Sequence, residues 1–228
     1  MLPSGSDTSL RFQTRSAAAA TTLIRMASLD VVILEVADAG ATDAFCTALG
    51  VGDHIHVRES EAPSTGFRGF TLSIVVAQPA TADAFIASAL EAGATSLKPA
   101  EKSLWGYGGA VEAPDGSIWT VASSAKKDDG PATRQIDDLV LQLGVQDVAE
   151  SKRFYVDRGF EVTKSFGRKY VELGAPSDPV KLTLNPRRAL AKVAGVPDDG
   201  TGSHRIVMAS DAGRFTDPDG FVWEAASP

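Results

Sequence analysis

Apolar residues along this chain gather into short runs of two kinds. Leu29-Asp30-Val31-Val32-Ile33-Leu34 and Ile136-Asp137-Asp138-Leu139-Val140-Leu141 are dense enough in branched apolar residues to predict strands. Each is followed by a stretch with helical spacing, near residues 41–49 and 148–158. These helices put Phe45 and Phe154 at equivalent points ahead of Leu49-Gly50-Val51 and Arg158-Gly159-Phe160, where a glycine suits a helix C-cap. Further strands are predicted near 53–59 and 68–77. A helix is predicted over about 81–92, with Thr81 as N-cap and Gly93 just past its end.

The pattern repeats. Gly109-Ala110-Val111-Glu112-Ala113-Pro114-Asp115-Gly116-Ser117-Ile118-Trp119-Thr120 recurs 104 residues later as Gly213-Arg214-Phe215-Thr216-Asp217-Pro218-Asp219-Gly220-Phe221-Val222-Trp223-Glu224. Each copy predicts a β-hairpin, in which proline presets the turn and glycine takes the positive φ that follows. Two homologous units result, 27–125 and 134–228, joined by a polar, breaker-rich linker over 126–133. The second unit is a trimmed copy, because His204-Arg205-Ile206-Val207-Met208-Ala209 runs almost directly into its hairpin with no helix between. A different helix is predicted there at 186–194, with Asn185 as N-cap, Pro186 in the first turn and Gly195 as C-cap.

Residues 1–25 are Ser/Thr/Ala-rich and nearly free of acid, and are expected to form a flexible tail or an overlong start ahead of Met26. The whole chain is 43% hydrophobic and 22% charged, a composition that supports a packed core. A single cysteine rules out an intramolecular disulfide and suits a reducing, cytoplasmic setting. No run of about 18 uncharged apolar residues is present, so no membrane span is expected. The formal charge of −7 argues against nucleic acid as a partner. Residues 26–130 carry 6 basic against 14 acidic side chains, whereas 131–228 carry 13 against 14. An anionic ligand therefore finds more partners in the second half, and a cationic or aromatic one suits the first.

The Phe154-Tyr155 pair on a helix ending in Gly159-Phe160 is similar to the opening of vicinal-oxygen-chelate domains. Trp105-Gly106-Tyr107-Gly108-Gly109, followed by Ala113-Pro114-Asp115-Gly116, looks like their closing part. That superfamily includes glyoxalases, bleomycin-resistance proteins and extradiol dioxygenases. The resemblance covers nearly everything from residue 28 onward. It implies an α+β fold of tandem βαβββ modules, forming two such domains in which curved sheets enclose clefts.

In metal-dependent members a His or Gln on a first strand and a late Glu hold a divalent ion. Carried over by position, the first unit offers only Val31 and Thr120, neither a ligand. The second offers Asp138, His204 and Glu224, donors suited to Zn, Mn, Ni, Fe or Mg, while the fourth position, near Thr183 to Asn185, has no carboxylate. The set is therefore degenerate, and the cofactor is either none or such an ion. Trp105 and Tyr107 are expected at the mouth of the first cleft, where they would stack on a ligand, or else in hairpin packing; Lys181 is a candidate anion contact. If Thr120 and Glu224 face the clefts, Trp119 and Trp223 face the helices as core.

His54 and His56, two apart on a strand, share a face as acid–base candidates or as an edge-strand polar face with Arg58. Cys46, beside Phe45, reads as a small buried hydrophobe. No residue is assigned a catalytic role. The leading expectation is a glyoxalase- or bleomycin-resistance-like protein that binds a small molecule. The alternatives are a metal-dependent lyase or dioxygenase using Asp138, His204 and Glu224, and a non-catalytic scaffold that pairs as a homodimer.

Overall fold

The computed structural model describes residues 27–104 and 106–226. The expected tail of residues 1–25 and the candidate Trp105 lie outside them. Four modules follow one another. The first comprises β1 (Leu29–Val36), α1 (Ala39–Leu49), β2 (Ile55–Glu59) and β3 (Ser64–Gly66). The second comprises β4 (Phe70–Val75), α2 (Pro79–Glu91), β5 (Thr95–Ser103), β6 (Gly106–Glu112) and β7 (Ile118–Ser123). The third comprises β8 (Asp138–Val145), α3 (Val148–Val156), β9 (Val162–Ser165), β10 (Val171–Leu173) and β11 (Lys181–Pro186), and runs straight into α4 (Arg187–Ala194). The fourth is only β12 (Gly200–Gly202), β13 (Ile206–Ser210), β14 (Phe215–Thr216) and β15 (Val222–Ala225), without a helix. No helix among the described residues is long and apolar enough to cross a membrane.

The sheets do not follow the division of the chain at 126–133. The second and third modules form one eight-stranded sheet, β5-β6-β7-β4-β8-β11-β10-β9, through the antiparallel pairing of β4 with β8. The first and fourth form a five-stranded sheet, β14-β15-β13-β1-β2, through β1 and β13. Each sheet thus takes strands from both halves. The short ribbon of β3 with β12 ties the first module to the fourth again.

Local chemistry accounts for the elements. Asp38 and Asp147 cap α1 and α3 by accepting backbone N–H bonds, and Gly50 ends α1 in the left-handed region. Two expected caps are different in the structure. Helix α2 starts earlier, at Pro79, and Thr81 is buried, its hydroxyl accepting from the Thr133 backbone N–H. Asn185 does not cap α4; its Nδ2 donates to Thr183 within β11, and Pro186 takes the cap position. The linker is stapled down: the Gln78 side chain accepts from the N–H groups of Asp129 and Gly130 and donates to the Pro131 carbonyl. Asp128 accepts from the Ala80 N–H at the start of α2.

Both repeated hairpins turn alike. The N–H of Gly116 bonds the Ala113 carbonyl and that of Gly220 the Asp217 carbonyl, with φ of 81° and 91° at the two glycines. The tryptophans that follow point to the helices, as alternation requires. Trp119 meets Phe45 of α1 edge-on at 5.7 Å, and Trp223 meets Tyr155 of α3 at 5.7 Å.

Beneath Trp223 lies a buried polar relay. Its Nε1 donates to the Tyr155 hydroxyl at 3.2 Å, and that hydroxyl donates to Asp217 at 2.7 Å. Asp217 also accepts from the N–H groups of Asp219 and Phe221. Removing the hydroxyl in Tyr155→Phe leaves two buried groups short of a partner, and a loss of about 1–3 kcal/mol is expected in urea titrations. Burial, outweighing these bonds, raises the Asp217 pKa above the ordinary carboxylate range. The folded protein therefore holds this proton more tightly than the unfolded chain. Its contribution to stability is complete below the ordinary Asp value and is lost as pH rises through the raised value. Comparing urea midpoints of wild type and Asp217→Asn across pH 4 to 7 should show that part of the slope vanish in the variant.

Candidate functional site

In the four central strands of the eight-stranded sheet, polar residues alternate with core residues. Leu72 and Ile74 of β4, Leu141 and Leu143 of β8, Trp119 of β7 and Leu182 and Leu184 of β11 are buried in the main core. Their neighbours Thr71, Ser73, Gln142, Thr120, Thr183 and Lys181 face the other, concave side. Register sets Ser73 beside Thr120, Thr71 opposite Gln142, and Gln142 beside Thr183. Thr71 donates to the Gln142 Oε1 at 2.9 Å, which leaves the Gln142 amide N–H groups directed elsewhere.

Helix α4 packs across β8, β11, β4 and β7 and covers one end of this face. Gly144 of β8 admits it: a Cβ there would come within 3.1 Å of the Arg187 Cα and 3.4 Å of Leu190. Leu190, Ala191 and Ala194 are buried with Phe67 and Ile118 in a small second core. Beyond the helix a cavity of about 320 Å³ remains, lined by Ser73, Thr120, Gln142, Ala122 and Val193, among others. Lys98 and Glu101, 3.8 Å apart, also line it. Neither the Ser73 nor the Thr120 hydroxyl has a side-chain hydrogen bond within the described residues.

The three expected metal ligands are not brought together. Asp138 opens β8 and pairs with Lys181 of β11 at 2.6 Å. That pair lines a separate hollow of about 300 Å³ with Asp53 and His54. Glu224 stands on β15 in the other sheet, 3.2 Å from Arg58, whose second nitrogen is 2.9 Å from Glu35. The imidazole of His204 stacks on Phe221 with 4.0 Å between ring centres, and its Nδ1 and Nε2 face the backbone carbonyls of Arg68 and Asp219 at 2.5 and 3.1 Å. Among the described residues no group of three His, Cys, Asp or Glu could hold a metal ion. The donor set does not fit a divalent ion, because each carboxylate already has a cationic side chain and the imidazole is held by the backbone.

The ligand candidates shift as well. Tyr107 lies on the helix-facing side of β6, where its hydroxyl donates to Asp83 of α2 at 2.7 Å, and it is among the residues that line the cavity. Lys181 is engaged by Asp138 rather than turned to a ligand alone. His54 precedes β2 and His56 is exposed upon it, so the two do not form a pair on one strand face. Cys46 is buried in the main core, and burial pushes its thiol up to about 12. Sequence reasoning passed over Thr71, Ser73 and Gln142. Their signal was present: Thr71 and Ser73 two apart in FTLSIV, and a lone Gln142 within the apolar LVLQLG.

No family model matches the sequence, and no curated protein matches it. Solved structures do. Glyoxalase I from Zea mays superposes with a TM-score of 0.55 at 14% identity, over 86% of this chain and 91% of its own. Two variants of the same maize enzyme in other crystal forms give 0.55 at 13–14% identity, over 86–87% of this chain and 91–92% of theirs. The fold of this chain is that of the maize glyoxalase I structures.

Burial of Cys46 has a direct consequence. A thiol reagent at pH 8 should label native protein far more slowly than protein unfolded in guanidinium, since the thiolate is the nucleophile and its formation is suppressed. Labelling at the rate of a free thiol would contradict the packing of α1.

Proposed function

We propose that this protein binds an uncharged small molecule in the concave cleft of its eight-stranded sheet, without a resident metal ion. The observation that carries this reading is the make-up of the cleft floor. On the four neighbouring strands that floor the cleft, this chain sets Thr120, Ser73, Gln142 and Thr183 side by side. Hydroxyls and a carboxamide are neutral hydrogen-bonding groups and hold no divalent ion by themselves. They do suit a ligand that offers carbonyl, hydroxyl or ring-nitrogen partners, with Ala122 and Val193 against its apolar part.

A cleft with neutral groups at its base gives a charged ligand no counter-ion there, so the acidic balance of the first half acts on approach rather than on contact. The volume of about 320 Å³ lies at the low end of small-molecule pockets, which run to about 1,000 Å³. A one- or two-ring compound is the expected size.

The test is calorimetric titration with a panel of uncharged mono- and bicyclic compounds, with and without a chelator. Binding is expected to be indifferent to the chelator. Thr120→Val and Gln142→Leu, which remove polar groups at nearly constant volume, should each weaken it about threefold to tenfold. Binding that requires added Zn or Mn, or that ignores both substitutions, overturns the reading.

A further inference from the structure

On the far side of the α4 core lies a second hollow, of about 260 Å³, which shares no residue with the cleft cavity. Phe67, Ile118 and Val196 give it an apolar wall. Its polar lining comprises Ser117, Asp199 and two opposite charges, Arg68 and Glu112, that form no ion pair with each other. The Arg68 side chain is only 13% exposed and is held by Asp115, through the carboxylate at 3.3 Å and the backbone carbonyl at 2.5 Å. Two of its five N–H groups are thereby engaged. The Glu112 carboxylate is exposed and makes no ion pair. Both charges converge on Gly116: a Cβ there would sit 2.9 Å from the Arg68 Nη2 and 3.8 Å from the Glu112 Oε1. The missing side chain leaves that space to the guanidinium and to whatever lies between the charges.

The geometry points to a second ligand site, for a zwitterion that carries an apolar group, of the α-amino-acid class. The carboxylate of such a molecule meets the remaining N–H groups of Arg68, whose planar fork suits carboxylates. The ammonium meets Glu112 at the open side, and the apolar side chain lies against Phe67, Ile118 and Val196. A simple anion leaves Glu112 unanswered at the open side, and a simple cation leaves the remaining N–H groups of Arg68 without an acceptor. Only a molecule with both charges a few ångströms apart satisfies the two at once. The arrangement is graded by depth: the cation is the buried partner and the anion the exposed one, so the ligand enters carboxylate first.

The site is independent of the cleft proposed above, and the experiment keeps them apart. L-phenylalanine, 3-phenylpropanoate and 2-phenylethylamine are titrated calorimetrically into wild type, Glu112→Gln and Thr120→Val. L-phenylalanine is expected to bind at least about tenfold more tightly than either single-charge analogue. Glu112→Gln, an exposed substitution that the fold tolerates, should weaken L-phenylalanine about tenfold while leaving 3-phenylpropanoate unchanged or tighter. Thr120→Val should change none of the three. Amide resonances of Gly116 and Ile118 should move on titration while that of Gln142 stays still. Equal affinity for all three compounds, no binding at millimolar concentration, or indifference to Glu112→Gln overturns the proposal. A loss in Thr120→Val alone assigns the binding to the cleft instead.

Discussion

Everything in this molecule depends on strand β4 lying antiparallel to β8. That seam, running from Phe70 opposite Leu143 to Val75 opposite Asp138, fuses two four-stranded modules from different halves of the chain into one sheet. It sets Leu72 beside Leu141 on the core side and Thr71 beside Gln142 on the concave side. Because side chains alternate with period two, a slip of one residue would put leucines in the cleft and hydroxyls in the core. The same interleaving in the five-stranded sheet, β1 against β13, closes the molecule around one continuous core. The two halves therefore cannot be separated without opening both sheets.

The concave face is divided by α4. An eight-residue helix with buried Leu190, Ala191 and Ala194 would be marginal alone, but it docks where Gly144 clears the way. Its presence turns an open trough into two small hollows of different character. One has neutral polar groups at its base; the other has an apolar wall and two opposed charges.

Ion pairs within the chain occupy the carboxylates of the ligand set expected from the sequence. Arg58 lies within 3.2 Å of Glu224 and 2.9 Å of Glu35. Burial and the two carboxylates act on Arg58 in opposite directions, and its pKa stands above the ordinary value, so it is a permanent cation. Asp138 is answered in the same way by Lys181. Internal cations thus take up both carboxylates.

What the sequence by itself determined was local. The Pro-Asp-Gly turns, the caps at Gly50 and Gly195, the inward-facing Trp119 and Trp223 and the missing helix of the last module follow from turn chemistry, helix periodicity and alternation, which act over a few residues. The polar residues of β4 and β8 were also legible as an alternating pattern, though not as a site, since nothing local says that the two strands are neighbours. Tertiary structure alone decided which strands pair, and so which side chains meet. Asp138, His204 and Glu224 look like one ligand set along the chain, but β8 and β15 belong to different sheets. Thr71 and Gln142 lie 71 residues apart and share a hydrogen bond. Pairing between distant strands depends on the sum of many weak contacts spread over the core, and that sum has no signature in any short stretch of sequence.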